Sequence, residues 1–169
     1  MAEVKPQETP RGDGAQALSE KSKALLPLLE KEFAGLAVSP SPDLVSVHVP
    51  RENLVDFCHK AKDDARFDFN ALLCLSVVDY KESFQVAYHL LSLKHGHKLV
   101  VKVDVPYDDP KVPTVTSIWK GADWFEREGQ DLFGVEFEGH PDPRPLLLWE
   151  GFEGHPMRKD YPFYDYQEW

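Results

Sequence analysis

The C-terminal third of the chain contains one five-residue sequence twice. Phe-Glu-Gly-His-Pro occupies residues 137–141 and returns unchanged at residues 152–156. Histidine gains and loses a proton near neutral pH and is a common metal ligand, so His140 and His155 are candidates for chemistry. With Asp142 they could offer a metal ion two imidazoles and a carboxylate. The alternative is that the repeat is structural and fastens this part of the chain to another surface.

The spacing of the two histidines favours the structural interpretation. Each histidine directly precedes a proline, which holds its backbone extended. His155 follows His140 by fifteen positions of proline-rich chain, and such a segment gives metal ligands no fixed geometry. A small metalloenzyme that uses His140, Asp142 and His155 stays an alternative. A metal assay on the pure protein separates it from the other hypotheses.

A second set of candidate residues lies just before the repeat, in the sequence DWFEREGQDLFG. Asp123 with Glu126 three residues later forms a capping-box pattern, which predicts a helix that starts at Asp123 and ends at Gly134. Arg127 and Asp131 are four residues apart and could form an ion pair on this helix. We expect a solvated face, on which no burial separates the carboxyl pKa values, so acid–base catalysis is not favoured. The charged residues of the face are Glu126, Arg127, Glu128 and Asp131.

One glycine interrupts the apolar face of the same predicted helix. Gly129 shares that face with Phe125 and Leu132. A glycine inside a helix costs about 1 kcal/mol relative to alanine. A second segment of backbone that passes close by would explain why glycine is used there, so we expect the chain's own tail or a partner at this face.

The remaining sequence predicts the elements that carry these residues. Hydrophobic periodicity indicates helices at 18–33 and from Pro50 to about residue 65, and strands at 43–49, 71–80, 83–93 and 97–105. Two short links join the last three strands and are typical of antiparallel hairpins. The predicted fold is α+β, a four-stranded, mainly antiparallel sheet with packed helices and a long irregular C-terminal tail.

The chain divides into three parts by composition. Residues 1–17 are rich in proline, glycine and polar side chains and are expected to form a flexible N-terminal tail. Residues 18–134 form the α+β domain, and residues 135–169 form an extended segment that we name the strap. From residue 141 onward the strap contains five prolines together with many aromatic side chains and two arginines. Aromatic residues interleaved with arginine are typical of the core of a protein interface, so the strap is predicted to dock on a partner polypeptide.

The overall composition excludes several classes of function. Hydrophobic residues make up 42% of the chain, and 19 basic residues against 29 acidic ones give a net charge of −10. Such a chain is repelled by phosphate backbones and by anionic lipid, so nucleic-acid binding and direct membrane binding are not expected. No apolar run reaches the about 18–20 residues needed to cross a bilayer, and no export signal is visible. Two cysteines cannot hold an iron–sulfur cluster, which needs about four thiolates. No phosphate-binding glycine motif occurs either.

The order of these residues resembles the C subunit of bacterial respiratory complex I, the proton-pumping NADH:quinone oxidoreductase. The resemblance runs over roughly residues 44–164. Gly129 stands where relatives usually have a larger apolar residue, and Pro145 where a second basic residue is common. The matching positions are Glu126, Arg127, Glu128, residues 131–134, Phe137, His140, Pro141, Arg144, and the segment 154–162 with His155, Arg158, Lys159 and Asp160.

The resemblance implies a non-catalytic component of the hydrophilic arm. Such a component holds no cofactor of its own, while FMN and iron–sulfur clusters lie in partner subunits. It supports the quinone-reducing module, so that electrons pass from NADH to quinone with coupled proton translocation. Its expected partners are chiefly the D subunit, which forms the quinone site, and the B subunit, which carries the terminal iron–sulfur cluster. Its expected location is peripheral, on the cytoplasmic side of the bacterial inner membrane, which it reaches only through the complex.

The resemblance and the composition together give ten candidate partner-docking residues. Two alternatives stay open beside the metalloenzyme: the equivalent component of a membrane-bound hydrogenase or of a coenzyme F420-dependent quinone oxidoreductase, and a free adaptor, which copurification with redox subunits would exclude. The docking candidates are Glu126, Arg127, Glu128, Asp131, His140, Arg144, His155, Arg158, Lys159 and Asp160.

Overall fold

The computed structural model describes residues 18–162. The predicted N-terminal tail and the last seven residues of the strap lie outside the described residues. The elements follow in the order α1 (Glu20–Glu32), β1 (Ala37–Pro40), β2 (Val45–His48), a 3-10 turn (Arg51–Asn53), α2 (Leu54–Asp63), β3 (Ala71–Asp79), β4 (Ser83–Leu91), β5 (Lys98–Pro106), β6 (Lys111–Pro113), α3 (Ala122–Phe133) and β7 (Glu136–Glu138).

Helix α1 begins after Ser19, whose hydroxyl oxygen accepts the backbone N–H of Ser22 at 3.2 Å. Pro27 lies inside this helix, and α1 continues through it as one element. Pro27 faces solvent, whereas Leu25 and Leu29 are buried in the core. Packing of these two leucines outweighs the hydrogen bond that proline cannot donate.

The central sheet has five strands in the order β1-β2-β5-β4-β3. Adjacent strands in this sheet are antiparallel, except for β2 and β5, which are parallel. The predicted α+β fold is confirmed, with β1 as a fifth strand and with β6 and β7 as a separate parallel pair. Strand β1 has only four residues, mostly exposed, and ends in proline, so it carried no alternation that the sequence could reveal.

One face of the sheet forms the core. Cross-strand neighbours such as Val86 and Val103 are fully buried there, and buried side chains of all three helices join the same cluster. The opposite face is polar: Gln85 donates a hydrogen bond to Asp104 across the β4–β5 pair at 2.7 Å. The fold is therefore two layers, with the sheet covered on one side. None of the helices formed by residues 18–162 has both the length and the apolar character that crossing a membrane requires.

Candidate functional site

The glutamate that was predicted to cap α3 lies inside the protein. Glu126 is fully buried, and its carboxylate accepts hydrogen bonds from the Thr114 hydroxyl and from the backbone N–H of Val115 at 2.8 Å. Burial raises the pKa of Glu126, although these two donors oppose the shift. The predicted capping box and the solvated location were wrong because this side chain binds the loop after β6, and α3 starts without a side-chain cap.

His140 fastens the first copy of the repeat to the beginning of α3. Its side chain is only 2% exposed, and Nε2 lies 3.2 Å from Asp123 Oδ1 and 4.0 Å from Glu126 Oε2. The other ring nitrogen, Nδ1, accepts the backbone N–H of Asp142 at 3.1 Å. One histidine therefore links the first turn of the helix to the first turn of the strap.

The middle of α3 binds the backbone of the strap. The Arg127 guanidinium donates to the carbonyl oxygens of Arg144 and Pro145 at 2.8 and 3.0 Å. Gln130, one turn further along the helix, donates to the carbonyl of Pro143. Three consecutive strap carbonyls are thus held by two side chains of the helix.

Asp131 completes this attachment from the same region of the helix. Its side chain accepts hydrogen bonds from three consecutive backbone N–H groups, so a carboxylate fills a small nest of donors. The predicted Arg127–Asp131 ion pair was wrong because each partner binds the strap instead. The donors to Asp131 Oδ2 are Leu146 at 2.6 Å, Leu147 at 2.8 Å and Leu148 at 3.3 Å.

The second copy of the repeat caps the C-terminus of α3. The last carbonyls of a helix have no partner within the helix. Here His155 Nδ1 binds the carbonyl of Asp131 at 2.9 Å, the N–H of Met157 binds that of Leu132 at 3.1 Å, and Arg158 Nε binds that of Phe133 at 2.6 Å. A cationic side chain at this end also complements the helix dipole.

Gly134 makes this cap possible. The helix ends there as predicted, with the glycine in the left-handed conformation at φ +70°. A Cβ added at Gly134 would come within 2.6 Å of the side chains of both His155 and Arg158. The position therefore requires glycine for its conformation and for the space that the strap occupies.

Arg158 continues the attachment into the sheet. Its guanidinium lies 5.2 Å from the ring centres of both Phe84 and Tyr107, which are stacked on each other. The next residue, Lys159, donates its backbone N–H to Asp79 Oδ2 at 2.8 Å, and Tyr107 donates its hydroxyl to Asp160 at 2.9 Å. The end of the described strap is therefore fixed to β3, β4 and the end of β5.

Gly129 is close-packed, as the sequence predicted, but its neighbours are side chains and not a second backbone. A Cβ at this position would lie 3.0 Å from Val77 Cγ2 and 3.2 Å from the ring of Phe137. Phe137 belongs to the strap and is itself buried. Strand β3 and the strap together therefore account for glycine on this face of α3.

The structure brings the candidate docking residues to one junction between α3 and the strap and sorts them by burial. Glu126 and Asp131 are buried; Arg127, His140, His155 and Arg158 are partly buried; Glu128, Arg144, Lys159 and Asp160 are exposed. Among the described side chains, the exposed guanidinium of Arg144 pairs only with Asp142. Most of this set fastens the strap to its own helix, and the prediction that these residues dock a partner stays a prediction.

The structure does not assemble the alternative metal site. His140 and His155 bind carbonyls of Asp123 and Asp131, which are eight residues apart on α3 and so separated by about 12 Å. Within residues 18–162 no group of three or more His, Cys, Asp or Glu side chains could hold a metal ion.

Sequence reasoning missed three residues that hold the strap, namely Asp79, Tyr107 and Thr114. Asp79 is buried at the end of β3 and accepts N–H groups from both Lys81 and Lys159. An aspartate at the end of an apolar strand is usually a turn residue, so only its burial distinguishes it. Its strap partner is 80 positions away in the chain, beyond the reach of any local pattern.

Several large apolar side chains of α3 and the strap are exposed. Among the described residues, eight large apolar side chains are well exposed, and four of them lie on α3 or the strap. Trp149 is 70% exposed and packs edge-on against Phe152. A shallow groove between β3 and α3 is lined in part by Phe125, Gly129 and Met157. The exposed apolar residues of α3 and the strap, which we name the outer strap surface, are Trp124, Leu147, Trp149 and Met157.

Comparison with known proteins gives a consistent family. Residues 47–167 match the family described as respiratory-chain NADH dehydrogenase, 30 Kd subunit. The C subunit of NADH-quinone oxidoreductase from Coxiella burnetii is 39% identical over 160 residues, covering 75% of this chain and 70% of that protein. The C subunit numbered 2 of the same enzyme from Rhizobium meliloti is 44% identical over 123 residues. This match covers 71% of this chain and 67% of that protein.

A fused relative and two solved structures extend this comparison. A C/D subunit of NADH-quinone oxidoreductase from Sulfurihydrogenibium is 37% identical over 85% of this chain, which matches 24% of that longer protein. A trypsin-resistant fragment of Nqo5 superposes with a TM-score of 0.63 at 35% identity, covering 70% of this chain and 98% of the fragment. A chain of a membrane-bound sulfane sulfur reductase, an archaeal respiratory membrane complex, superposes with a TM-score of 0.75 at 25% identity. The superposition covers 85% of this chain and 86% of that chain.

Proposed function

This chain belongs to the family of the 30 Kd subunit of respiratory-chain NADH dehydrogenase, and from that premise we propose that it supports the quinone-reducing module of a proton-pumping NADH:quinone oxidoreductase. Its relatives are components of NADH-quinone oxidoreductase, an enzyme complex. The observation that carries the proposal is the family match itself, which runs from β2 through the whole described strap. The strap is thus part of what defines the family.

The role is to support catalysis in other subunits. At the junction of α3 and the strap, the buried carboxylates are occupied by hydrogen bonds within the chain. The carboxyl of Glu126 is held by Thr114 and Val115, and that of Asp131 by three backbone N–H groups. In this proposal FMN and the iron–sulfur clusters belong to partner subunits, and electrons reach quinone there with coupled proton translocation.

The outer strap surface is the proposed docking site. Because the polar backbone of the strap is bound to α3, its apolar side chains are the ones left to meet a partner. Exposed aromatic residues such as Trp149 are frequent hot spots of protein interfaces. Of the two arginines in the strap, Arg144 is the one whose side chain is mostly exposed, and it adds a polar group to the rim of this surface.

The proposed partners are the D subunit, which forms the quinone site, and the B subunit, which carries the terminal iron–sulfur cluster. The fused C/D relative supports the first of these partners, since in that protein the two kinds of subunit share one polypeptide. The proposed location is peripheral, on the cytoplasmic side of the bacterial inner membrane, with the membrane reached only through the complex.

A second candidate function has one observation in its favour. The structural neighbour from a membrane-bound sulfane sulfur reductase has the same fold over 85% of this chain. The fold therefore also serves a respiratory membrane complex that is named for a different reaction. The equivalent place in a membrane-bound hydrogenase or a coenzyme F420-dependent quinone oxidoreductase is the alternative proposal. The electron donor oxidised by the purified native complex distinguishes the two.

The docking proposal is tested with two variants of equal exposure. Trp149 lies on the outer strap surface and Leu93 lies in the link between β4 and β5, and each is 70% exposed. Trp149→Ala is expected to reduce recovery of the chain with the purified membrane complex at least tenfold, since a hot-spot residue contributes about 2 kcal/mol or more. Leu93→Ala is expected to leave recovery unchanged.

The readouts are recovery of the chain, quinone reduction by the complex, and unfolding of each isolated variant. Quinone reduction should fall in proportion to recovery for Trp149→Ala. Equal effects of the two variants would exclude the outer strap surface as the docking site. Full assembly of an inactive complex would instead give Trp149 a role in turnover and contradict the supporting role.

A further inference from the structure

Strand β3 lies at one edge of the central sheet and leaves one side of its backbone unpaired. Tyr80 donates its backbone N–H to the carbonyl of Ser83 at 2.9 Å, and this pair closes the hairpin to β4. In an antiparallel ladder the bonded pairs recur at every second residue. Ser76 therefore bonds to β4, whereas the N–H and C=O groups of Leu75 and Val77 point away from the sheet. In the part of the chain that the structure describes, no backbone group bonds to them.

The free side of β3 opens onto the groove between β3 and α3. Four consecutive residues of the strand, 74–77, line this groove. Successive side chains of a strand point to opposite faces, so a run of consecutive residues lines a groove where the strand presents its backbone edge. The other wall is apolar, with the partly exposed Phe125 and Leu132 of α3 and the exposed Met157 of the strap. A row of unpaired backbone groups and an apolar wall thus lie side by side.

The two edges of the sheet differ in how they are protected. Strand β1, at the opposite edge, has only four residues and ends in Pro40, features that prevent another strand from pairing there. Strand β3 has nine residues, contains no proline and carries the exposed apolar side chains of Leu73 and Val78. An uncovered edge of this kind promotes aggregation. We therefore expect the edge of β3 to be covered when the protein is in its working state.

We propose that a short extended segment of a partner polypeptide pairs with β3 and adds a sixth strand to the sheet. Its backbone bonds to the outward groups of Leu75 and Val77, and its apolar side chains, at every second position, pack on the exposed wall of α3. The strap already holds one end of β3, since the N–H of Lys159 binds the carboxylate of Asp79. The added strand therefore lies along residues 73–77.

Charge determines which occupant fits this edge. Glu128 is exposed and lines the groove, and the whole chain has a net charge of −10. Two copies of the chain paired edge to edge would bring like charges together, which disfavours a second copy as the occupant. A segment with lysine or arginine facing Glu128 is attracted instead. The occupant is an apolar strand with a basic residue, supplied by a neighbouring subunit, and the identity of the complex that supplies it rests on the proposed function.

Hydrogen exchange read at single amides in the isolated full chain and in the purified membrane complex tests the added strand. The amides of Leu75 and Val77 are expected to exchange at least about tenfold more slowly in the complex. The amides of Ser76 and Val78 should be slow in both samples, because β4 holds them. Equal exchange of the two outward amides in both samples would overturn the inference. Slow exchange already in the isolated chain would also overturn it, since a second copy or the chain itself would then cover the edge.

Three variants test the same bonds through assembly. Val77→Pro removes an outward N–H group, a change that edge strands tolerate, and should lower recovery of the chain with the complex at least about tenfold. Val77→Ala also shortens the side chain but keeps the N–H group, so its recovery should match that of the unmodified chain. Val38→Pro removes an outward N–H group from β1, because the Ser41–Leu44 pair closes that hairpin, and should assemble normally.

Thermal unfolding of each isolated variant shows whether it folds. Equal recovery of Val77→Pro and Val77→Ala would overturn the inference, and if Val77→Pro does not fold, the exchange data on the unmodified chain decide. The same samples separate this inference from the proposed function. Protected outward amides in a respiratory complex other than NADH:quinone oxidoreductase would contradict the proposed function and support the added strand. Recovery with NADH:quinone oxidoreductase and unprotected outward amides would do the reverse.

Discussion

The two copies of Phe-Glu-Gly-His-Pro occupy very different environments. In the first copy Phe137 is 3% exposed, lies in strand β7 and packs against Gly129. In the second copy Phe152 lies near the surface and contacts the rings of Trp149 and Tyr161. The histidines bind opposite ends of α3. Residues of the same identity and order thus contribute to the core in one place and to a helix cap in the other.

This difference shows that the structural role of each copy depends on the part of the chain that it contacts. The first copy is an extension of the fold, since β7 pairs with β6 and its phenylalanine belongs to the core cluster. The second copy attaches mainly through polar groups, because His155 and Arg158 supply donors that the last turn of α3 lacks. We expect the first copy to determine the stability of the domain and the second to determine the path of the strap.

The largest expected effect comes from the two phenylalanines. Phe137→Ala should lower the free energy of unfolding by about 3–5 kcal/mol, because it leaves a cavity between α3 and the sheet. Phe152→Ala should lower it by at most about 1 kcal/mol, since the ring is only partly buried. Denaturant unfolding of both variants measures the difference. Equal losses would mean that the second copy belongs to the core as well.

One arginine follows each copy of the repeat. Replacing these two arginines is expected to give stability losses that differ less than those of the two phenylalanines. Arg158→Ala should cost about 2 kcal/mol of unfolding free energy, because it removes a charged hydrogen bond to the Phe133 carbonyl and the contact with two stacked rings. Arg144→Ala should change stability by no more than about 0.5 kcal/mol, since its ion pair with Asp142 is exposed. Thermal and denaturant unfolding provide the test. A costly Arg144→Ala would show that its carbonyl contact with Arg127 depends on the side chain.

The smallest expected effect is a change in the stability of the fold at acid pH. Burial alone would raise the pKa of Asp79, but the N–H groups of Lys159 and Lys81 and the nearby cations hold that pKa below its usual value. A depressed carboxyl pKa stabilises the fold above the unfolded-state pKa of about 3.9, and this contribution is lost as pH falls through the folded-state pKa. Asp79→Asn should therefore destabilise the protein by about 1 kcal/mol at pH 7 and by progressively less below pH 4.

A pH series of unfolding free energies for the unmodified chain and for Asp79→Asn provides the measurement. The loss of stability in acid belongs to the second copy, since Lys159, which follows that copy, binds Asp79. A difference between the two chains that stays constant down to pH 3 would contradict the role of the Asp79 charge.

Elements with a local signal could be predicted from the sequence. The strands at 71–80, 83–93 and 97–105 were found within two residues of their observed ends because these segments are rich in apolar residues and are joined by short links. Gly134 ended α3 as predicted, since a helix end that requires a positive φ selects glycine locally. The family was also visible, because it depends on residue order and not on geometry.

What could not be predicted depended on distant partners. The Asp123–Glu126 pattern is the same whether the glutamate turns back to cap the helix or inward to the core. The choice was made by Thr114 and Val115, which lie in the loop before the helix. The path of the strap was equally hidden, because its contacts span from 13 to 80 positions. Composition predicted that the strap docks on a partner, which stays a prediction, and the structure shows that the strap also packs on the chain's own helix.

The cap at the end of α3 has a consequence for the order in which the protein is made. His155 and Arg158 follow the carbonyls that they bind by 24 and 25 residues. A ribosome that synthesises the chain therefore adds the last turn of α3 before it adds the two side chains that bind the carbonyls of that turn. The end of the helix is therefore completed only once the strap has been synthesised, and the strap also carries most of the surface proposed to meet the neighbouring polypeptide.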